Sequence, residues 1–526
     1  MIKYKKSIFA LIACAIVFSV IEIKYDLFAT SENIYNQIQR FMEVLQKVKQ
    51  FYVEDVETSE LVDGAIKGML EQLDPHSVYI SKERLQEITE QFEGKFEGIG
   101  IEFIVHNKYP TVVSPIMGSP SERLGLRPGD KIVRIEGKST YNFTEDQVRE
   151  KLLGRKGTKV TIDIQRAGIA KPFSVTITRD VIPVYSIIAA FMVDDSTGLI
   201  KLGKFARTTS EEFEQALGQL NTQGMRRLIL DLRGNSGGYL EQAVKIVDKF
   251  LGSGKRIVYT IGKIPSANEF YDAKSDPADL KIPLIVLIDH GSASASEIVA
   301  GAIQDWDRGL IMGNTSFGKG LVQRQLLLKD GSAMRVTIAR YYTPSGRLIQ
   351  RPYNNGLNEY IAQGWDELDP NAIADSTLNK PVFTTQGGRK VYGGGGITPD
   401  IRLKSNRLTF TSIKLIQGQI FFEFGAKYAA KHKNQKNDFL EFRNHFEIDE
   451  RTVEKFLQLA RSKAIEIKNE EIEKDRDFIK RRIKSQIARH FWSGREFYEV
   501  ELYENPHVRT ALSYFSRASN MAGYVN

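Results

Sequence analysis

Apolar residues recur at helical spacing from Ser31 to about Gln91, as in "IYNQIQRFMEVLQKVKQFYV" and "LVDGAIKGMLEQL", with Asp74-Pro75 as a break. This pattern predicts a helical lead-in over 31–91. From Phe92 the texture changes to short alternating or β-branched runs punctuated by glycine: "FEGIGIEFIV", "TVVSPI", "KIVRIEG", "KVTIDIQR" and "FSVTITRD". Such runs build a small β-barrel or sandwich, expected over 92–180, with one helix at "TEDQVREKLLG". Over 181–403, "GLIKLGKF", "RLILDLRG", "PLIVLIDHG" and "GLIMGN" read as buried strands, and "SEEFEQALGQL", "LEQAVKIVDKFL" and "SEIVAGAIQDW" as helices between them. That alternation predicts an α/β core with parallel strand pairs. Residues 404–526 turn to Lys, Glu and aromatics in long stretches such as "DERTVEKFLQLARSKA", which predicts a helical C-terminal domain.

Composition adds a compartment to this multidomain picture. The net charge of +8 arises from 73 basic and 65 acidic residues among 526, spread along the chain. It is a mildly basic surface and no nucleic-acid footprint, so no nucleic-acid partner is expected. The N-terminus is different: basic "MIKYKK" precedes an apolar run from Ser7 to Ile23 broken only by Ser and Glu22. Residues 1–30 therefore read as an export signal or short membrane anchor, and the expected location is periplasmic, anchored to the inner membrane. Cys14 is the only cysteine, which excludes an intrachain disulfide or a Cys-based metal site. The seven histidines are scattered and none has metal-ligand spacing.

Three segments carry candidate chemistry. In "LIDHGSASASEIVAG" a strand runs through a small-residue turn into a helix, exposing Ser292, Ser294 or Ser296 at the helix start. The same residues fit a capping box, with Ser294 as N-cap and Glu297 reaching back. His290 is the nearest base for a serine, but no acidic residue in a triad-like context is there to orient it, and it reads as a strand-end histidine. "GNTSFGKGLVQ" nearly matches a phosphate-binding loop through Gly313, Gly318 and Lys319, yet Gly320 stands where Ser or Thr would hold magnesium. Lys319 could act instead as a base. Bringing a lysine from about 10.4 to 7 or 8 takes roughly 3 to 4 kcal/mol of desolvation or positive potential, and its neighbours Phe317, Leu321 and Val322 suit an apolar cleft. In "LILDLRGNSGGYLEQAV" a buried strand ends in a glycine loop before a helix, and N–H groups at Gly237 and Gly238 form an anion cradle suited to a phosphate or an oxyanion.

Two resemblances bind these segments together. "FEGIGIEF" and "SPSERLGLRPGDKIVRIEG" resemble the carboxylate-binding loop, central helix and Gly-Asp turn of a PDZ domain. There, N–H groups at Gly98, Ile99, Gly100 and Ile101 would cradle a terminal carboxylate while the strand from Ile101 to Val105 pairs with an extended peptide. Arg166, at the end of a strand of that domain, is a candidate link between ligand binding and the core. In order and spacing, "DLRGNSGG", "SASE" and "FGKGLVQ" resemble the C-terminal processing peptidases, serine proteases with a Ser/Lys dyad, and the likeness covers roughly residues 35 to 405. It implies a serine endopeptidase cleaving C-terminal regions of exported proteins, with Ser294 as nucleophile and Lys319, 25 positions on, as base. It further implies Gln323 as the residue orienting the lysine, with Ala295 and either Gly237 or Gly238 as oxyanion donors. No metal, nucleotide or organic cofactor is implied, and homo-oligomerisation is left open. Residues 352 to 390 look like an insertion inside the core. The alternative is a non-catalytic periplasmic PDZ scaffold in which Ser294 only caps a helix.

Overall fold

The computed structural model describes residues 34–275, 280–353, 360, 380–404, 407–436 and 438–524. The apolar segment expected over residues 1–30 and most of the segment 352–390 lie outside the described residues. Among the described residues no helix is long and apolar enough to cross a membrane.

The chain divides after Tyr79 into two compact units. The first contains a helix over 34–51 and a second at Thr58–Glu71. Asp74 ends the helical stretch by folding back on the following turn, accepting from the N–H groups of His76 (2.8 Å) and Ser77 (2.9 Å). This local capture of backbone donors is what Asp offers in place of another helical turn.

The second unit begins with a β-rich domain. Strands β1 (Lys95–Gly98), β2 (Ile101–His106), β3 (Tyr109–Pro115) and β4 (Lys131–Ile135) precede helix α1 (Glu145–Leu152), and β5 (Lys159–Gln165), β6 (Phe173–Thr178) and β7 (Asp180–Pro183) follow it. The main sheet runs β2-β3-β4-β5-β6, and β1 pairs antiparallel with β7. In β5 every second residue is buried, Val160, Ile162 and Ile164 pointing into a core completed by Ile132, Val148 and Ile177. Helix α1 starts where its sequence says it should: Thr144 and Gln147 exchange the two hydrogen bonds of a capping box. Arg166 forks onto Asp130 (2.7 and 2.6 Å) and the Gly125 carbonyl (2.8 Å), all inside this domain. It therefore answers the nearly buried Asp130 carboxylate, which needs a cation.

The α/β core follows. Its elements are β8 (Ile187–Met192), β9 (Thr197–Leu202), α2 (Thr209–Thr222), β10 (Arg227–Asp231), α3 (Leu240–Asp248), β11 (Arg256–Gly262), β12 (Leu284–Ile288), α4 (Ala295–Asp305), β13 (Leu310–Gly313), β14 (Leu321–Leu327), β15 (Ala333–Tyr342) and β16 (Ile401–Arg402). Six strands form one sheet in the order β8-β9-β10-β12-β13-β16, antiparallel at β8 and parallel thereafter. Strands β10, β12 and β13 read as unbroken apolar runs because both faces of the sheet are covered. Leu228, Leu230, Val286 and Ile288 pack under α2, α3 and α4, and Ile229, Ile285, Leu287 and Met312 face the opposite layer. Strand β15 pairs with β14 and with β11 to make a second, antiparallel sheet beside the first.

That opposite layer comes from the far end of the chain. Beyond β16 lie α5 (Ile420–Lys431), α6 (Glu450–Ser462), α7 (Arg476–Phe491), α8 (Gly494–Tyr503), α9 (Pro506–Leu512) and α10 (Phe515–Met521), with shorter helices between them. Helices α5 to α7 share an apolar core of their own around Phe421, Phe456 and Ile483. Leu502, Val508, Ala511, Phe515 and Ala518 from α8 to α10 instead cover the second face of the core sheet. The helical region after residue 404 is thus two structures in sequence: a separate bundle, then the outer layer of the core.

Candidate active site

Parallel register brings the three candidate segments to one edge. Asp231 of β10 lies level with Leu287 of β12, and Leu287 level with Met312 of β13. The segments leaving these strands, 233–238, 289–294 and 314–319, therefore emerge side by side at the carboxyl ends of adjacent strands, where open α/β sheets form their ligand crevices.

The serine turn is stitched to the glycine loop. Ser292 donates from Oγ to the Leu232 carbonyl (2.8 Å), and Ser296 donates from Oγ to the Asn235 carbonyl (2.8 Å). The same Asn235 carbonyl accepts from Ala293 N–H at 3.0 Å. Ser292 and Ser296 are both fully buried, whereas Ser294 between them is half-exposed, with φ 55° and ψ −112°. A non-glycine residue in this region costs of order 1–3 kcal/mol and is held there by its surroundings. At the start of α4, Glu297 takes the Ser294 N–H at 2.7 Å, and the Glu297 N–H goes to the Ser294 carbonyl at 2.8 Å. Of the three serines, Ser292 and Ser296 spend their hydroxyls on backbone carbonyls.

Glu297 does more than reach back. Its carboxylate, fully buried, accepts from Ser294 N–H (2.7 Å), Ser316 Oγ (2.6 Å), Gly318 N–H (2.7 Å) and Lys319 N–H (2.9 Å). One side chain thus fixes the serine turn to the lysine loop. Burial pushes its carboxyl above the ordinary range, against the pull of these four donors. Tyr341 on β15 makes a second clasp, its hydroxyl bridging the carbonyl oxygens of Ser294 (3.1 Å) and Lys319 (2.7 Å). Phe317 N–H donates to the Ser292 carbonyl at 2.9 Å and completes the junction.

Lys319 donates from Nζ to Gln323 Oε1 at 2.7 Å. The register of β14 against β15 shifts between Val322 and Gln323, a bulge of the kind that re-aims a side chain beside a site. Gly313 ends β13, and the chain passes through 314–320 into strand β14. A phosphate loop opens a helix, whose N-terminal N–H groups hold the anion; here no helix follows, and the near-match to that loop carries no nucleotide site. Beside the lysine loop, Arg351 receives its backbone position from Gly318 (N–H to carbonyl, 2.9 Å) and sets its guanidinium over the Phe317 ring at 5.4 Å. Arg351 is 3% exposed, and its three guanidinium nitrogens have no hydrogen-bond partner among the described residues.

The glycine loop lies against the serine. A methyl group on Gly237 would stand 2.8 Å from Ser294 Cβ and 3.0 Å from Ala295 N, at φ 100°, so only glycine fits. Gly237 N–H is engaged by Asn235 Oδ1 at 2.9 Å. The N–H groups of Gly238 and Ala295 make no hydrogen bond among the described residues. The loop's base is fixed by Asp231, which burial disfavours as an anion but which Arg233 and Lys201 hold well below the usual carboxylate range. Arg233 then reaches the end of the chain, donating from Nη1 to Asn505 Oδ1 (3.0 Å) and lying 3.2 Å from His507 Nδ1.

In the PDZ-like domain, Gly98 ends β1 and Ile101 begins β2. The carbonyl of Ile99 accepts from Ser121 N–H (3.1 Å) and Oγ (2.7 Å), and that of Gly100 from Ser119 Oγ (2.9 Å). A methyl group on Gly100, at φ 79°, would fall 2.3 Å from Ser119 Cβ. The loop is held by its own domain in one conformation. His290 stands half-buried just past β12. Tyr341, Asn505 and His507 were not singled out from sequence, and 505 and 507 carry no local signal.

Residues 196–358 match the model of peptidase family S41, and residues 111–166 match that of the PDZ domain. Residues 20–84 match the activating protease CtpB N-terminal domain, and 412–494 match a family of unknown function. The carboxy-terminal-processing protease of Bartonella bacilliformis is 39% identical over 323 residues, 61% of this chain and 74% of that protein. Carboxy-terminal processing protease CtpA of Bacillus subtilis is 35% identical over 317 residues, 60% of this chain and 67% of that protein. A solved structure of a photosystem II D1 C-terminal processing protease, 26% identical, aligns with a TM-score of 0.34 over 69% of this chain and 92% of its own. The chain belongs to the carboxy-terminal processing proteases of peptidase family S41. It is a multidomain serine-type peptidase carrying a PDZ domain.

Proposed function

We propose that this protein cleaves C-terminal regions of exported protein substrates with a dyad of Ser294 and Lys319, and that its PDZ domain captures the substrate's apolar C-terminus. The observation that carries the reading is the Glu297 carboxylate, which holds the N–H of Ser294 and that of Lys319 at once. A carboxylate spent in this way fixes nucleophile and base relative to each other without itself taking part in proton transfer.

Neutral Lys319 takes the proton of Ser294 Oγ as that oxygen bonds to the substrate's carbonyl carbon. The carbonyl oxygen becomes an oxyanion, received by the N–H groups of Ala295 and Gly238. Gly237 can contribute its own only by leaving Asn235 Oδ1. The Lys319 ammonium then gives its proton to the leaving amine, the C–N bond breaks, and an acyl-enzyme remains on Ser294. Water attacks that ester, losing a proton to Lys319, which returns it to Ser294 Oγ as the new carboxyl end departs. Gln323 keeps the lysine aimed through its 2.7 Å contact. The Arg351 guanidinium lies over the Phe317 ring of the lysine loop and packs that loop from one side. Residues 1–30 would deliver the enzyme to the periplasmic side of the inner membrane.

The test is to incubate the chain with an unfolded protein that ends in an apolar tail, and with the same protein ending in charged residues. Faster cleavage of the first, abolished by Ser294→Ala with the fold retained, is expected. Equal cleavage of both, or unchanged cleavage by the variant, would overturn the reading.

A further inference from the structure

A cavity of about 1400 Å³ lies along the PDZ domain and is shared with the α/β core and the helical bundle after residue 404. Its floor is the domain's own apolar groove, Ile99, Ile101, Phe103 and Leu126 with Leu152 of α1. The same cavity is lined by Ala426 and Ala430 of α5, Trp492 after α7, Lys433 and Lys436, and by Ile188 of β8 and Gln219 of α2 from the core. The PDZ domain and the bundle are tied together. His106 of β2 places Nδ1 2.7 Å from Gln419 Oε1 and Nε2 3.3 Å from Glu423 Oε2. Gly494 N–H donates to Ser114 Oγ at 3.3 Å, and Arg489 Nη1 lies 3.8 Å from Glu102 Oε2.

These contacts say which way a bound peptide would face. Strand β2 is the outermost strand of its sheet, so an extended peptide can pair along its open edge. Side chains of neighbouring strands share faces, and successive side chains of one strand alternate between them. On β2, Ile101 and Phe103 face the domain's groove, while Glu102 and His106 meet the helical bundle. A peptide strand laid beside β2 would likewise turn one alternate set of side chains to the groove and the other to the bundle.

We propose that the helical bundle is the second wall of the peptide site: the PDZ groove takes the terminal side chain and every second one before it, and the face made by Ala426, Ala430 and Trp492 takes the penultimate one and its alternates. The small residues there leave room for bulky apolar side chains, and Lys433 and Lys436 disfavour basic ones. This inference rests on the reading that the PDZ groove binds a substrate C-terminus. It gives the region matched by a family of unknown function a role in choosing substrates.

The test uses the full chain carrying Ser294→Ala, so that peptides are bound and not cut, and fluorescence anisotropy of labelled ten-residue peptides with apolar ends. Adding Ala430→Trp, at an exposed position on α5, is expected to weaken binding of a peptide with penultimate Phe by about tenfold or more and to leave one with penultimate Gly nearly unaffected. Lys433→Glu is expected to move the penultimate preference from Glu toward Lys. Equal affinities for all these peptides in the parent and both variants, with thermal midpoints unchanged, would overturn the second wall alone. A parent chain that binds no apolar peptide would overturn the groove reading and this inference with it.

Discussion

The active site and the peptide groove are built in opposite ways. Around Ser294 the chain is knotted by short polar bonds: Glu297 takes four donors, Tyr341 bridges two carbonyls, and Ser292 and Ser296 are spent on backbone. Around the groove the lining comes from distant parts of the chain, joined by a few contacts at His106, Ser114 and Glu102. Proton transfer tolerates little misplacement and demands a rigid, fully bonded frame. Recognition of varied tails needs area and shape, which loosely tied walls provide.

Breaking the rigid side should have the largest effect. Glu297→Ala leaves four donors without their acceptor, two of them buried and costing about 1–3 kcal/mol each, so a sharp fall in thermal midpoint and loss of cleavage are expected. The isosteric Glu297→Gln separates the roles: its amide end turns donors against donors, and kcat should drop roughly 100-fold with KM little changed while the chain stays folded. A Glu297→Gln enzyme of normal kcat would mean that the clasp is only structural.

The outer layer of the core comes next. Phe515 is buried against the second sheet face, and Phe515→Ala should cost about 3–5 kcal/mol in denaturant unfolding. A loss under about 1 kcal/mol would show that α10 is dispensable to the core.

The groove side can be probed by pH. His490 is half-buried beside the turn at Pro128 and Gly129, with Nε2 3.1 Å from the Phe422 carbonyl. Burial, helped by the neighbouring Arg489, pulls it down from 6.5 to about 4. A folded-state value below the unfolded one means that stability is complete above pH 6.5 and drains away as pH falls toward 4, by roughly 3 kcal/mol. His490→Gln should flatten that slope in urea titrations run between pH 7 and 4; an unchanged slope would assign the acid sensitivity elsewhere. The smallest effect is expected of Tyr341→Phe, which removes one hydroxyl shared by two carbonyls: about 1 kcal/mol in stability and a fewfold in kcat.

Much of the site was legible in the sequence because each chemical segment follows a buried strand and local pattern identifies such strands. "DLRGNSGG", "SASE" and "FGKGLVQ" could be read one at a time, and parallel register did the rest. Glu297 was legible only as a capping residue, since its bonds to Gly318 and Lys319 cross from one strand's end to the next. The tie from Arg233 to Asn505 and His507 spans more than 270 positions, and no local periodicity reports such a contact. The same holds for α8 to α10: their helical pattern was visible, but the surface they cover belongs to strands far upstream. The near-match of Gly313 to Lys319 with a phosphate loop dissolved for a topological reason, a strand following where a helix would be needed.

The central claim is that Ser294 and Lys319 act as one unit. The most direct measurement is kcat/KM for cleavage of an unfolded protein with an apolar C-terminal tail by Ser294→Ala, by Lys319→Ala and by the chain carrying both. Residues that share a single step are strongly non-additive, so all three should fall to the same residual rate. Lys319→Ala cutting at the wild-type rate, or a double variant far slower than either single one, would contradict it.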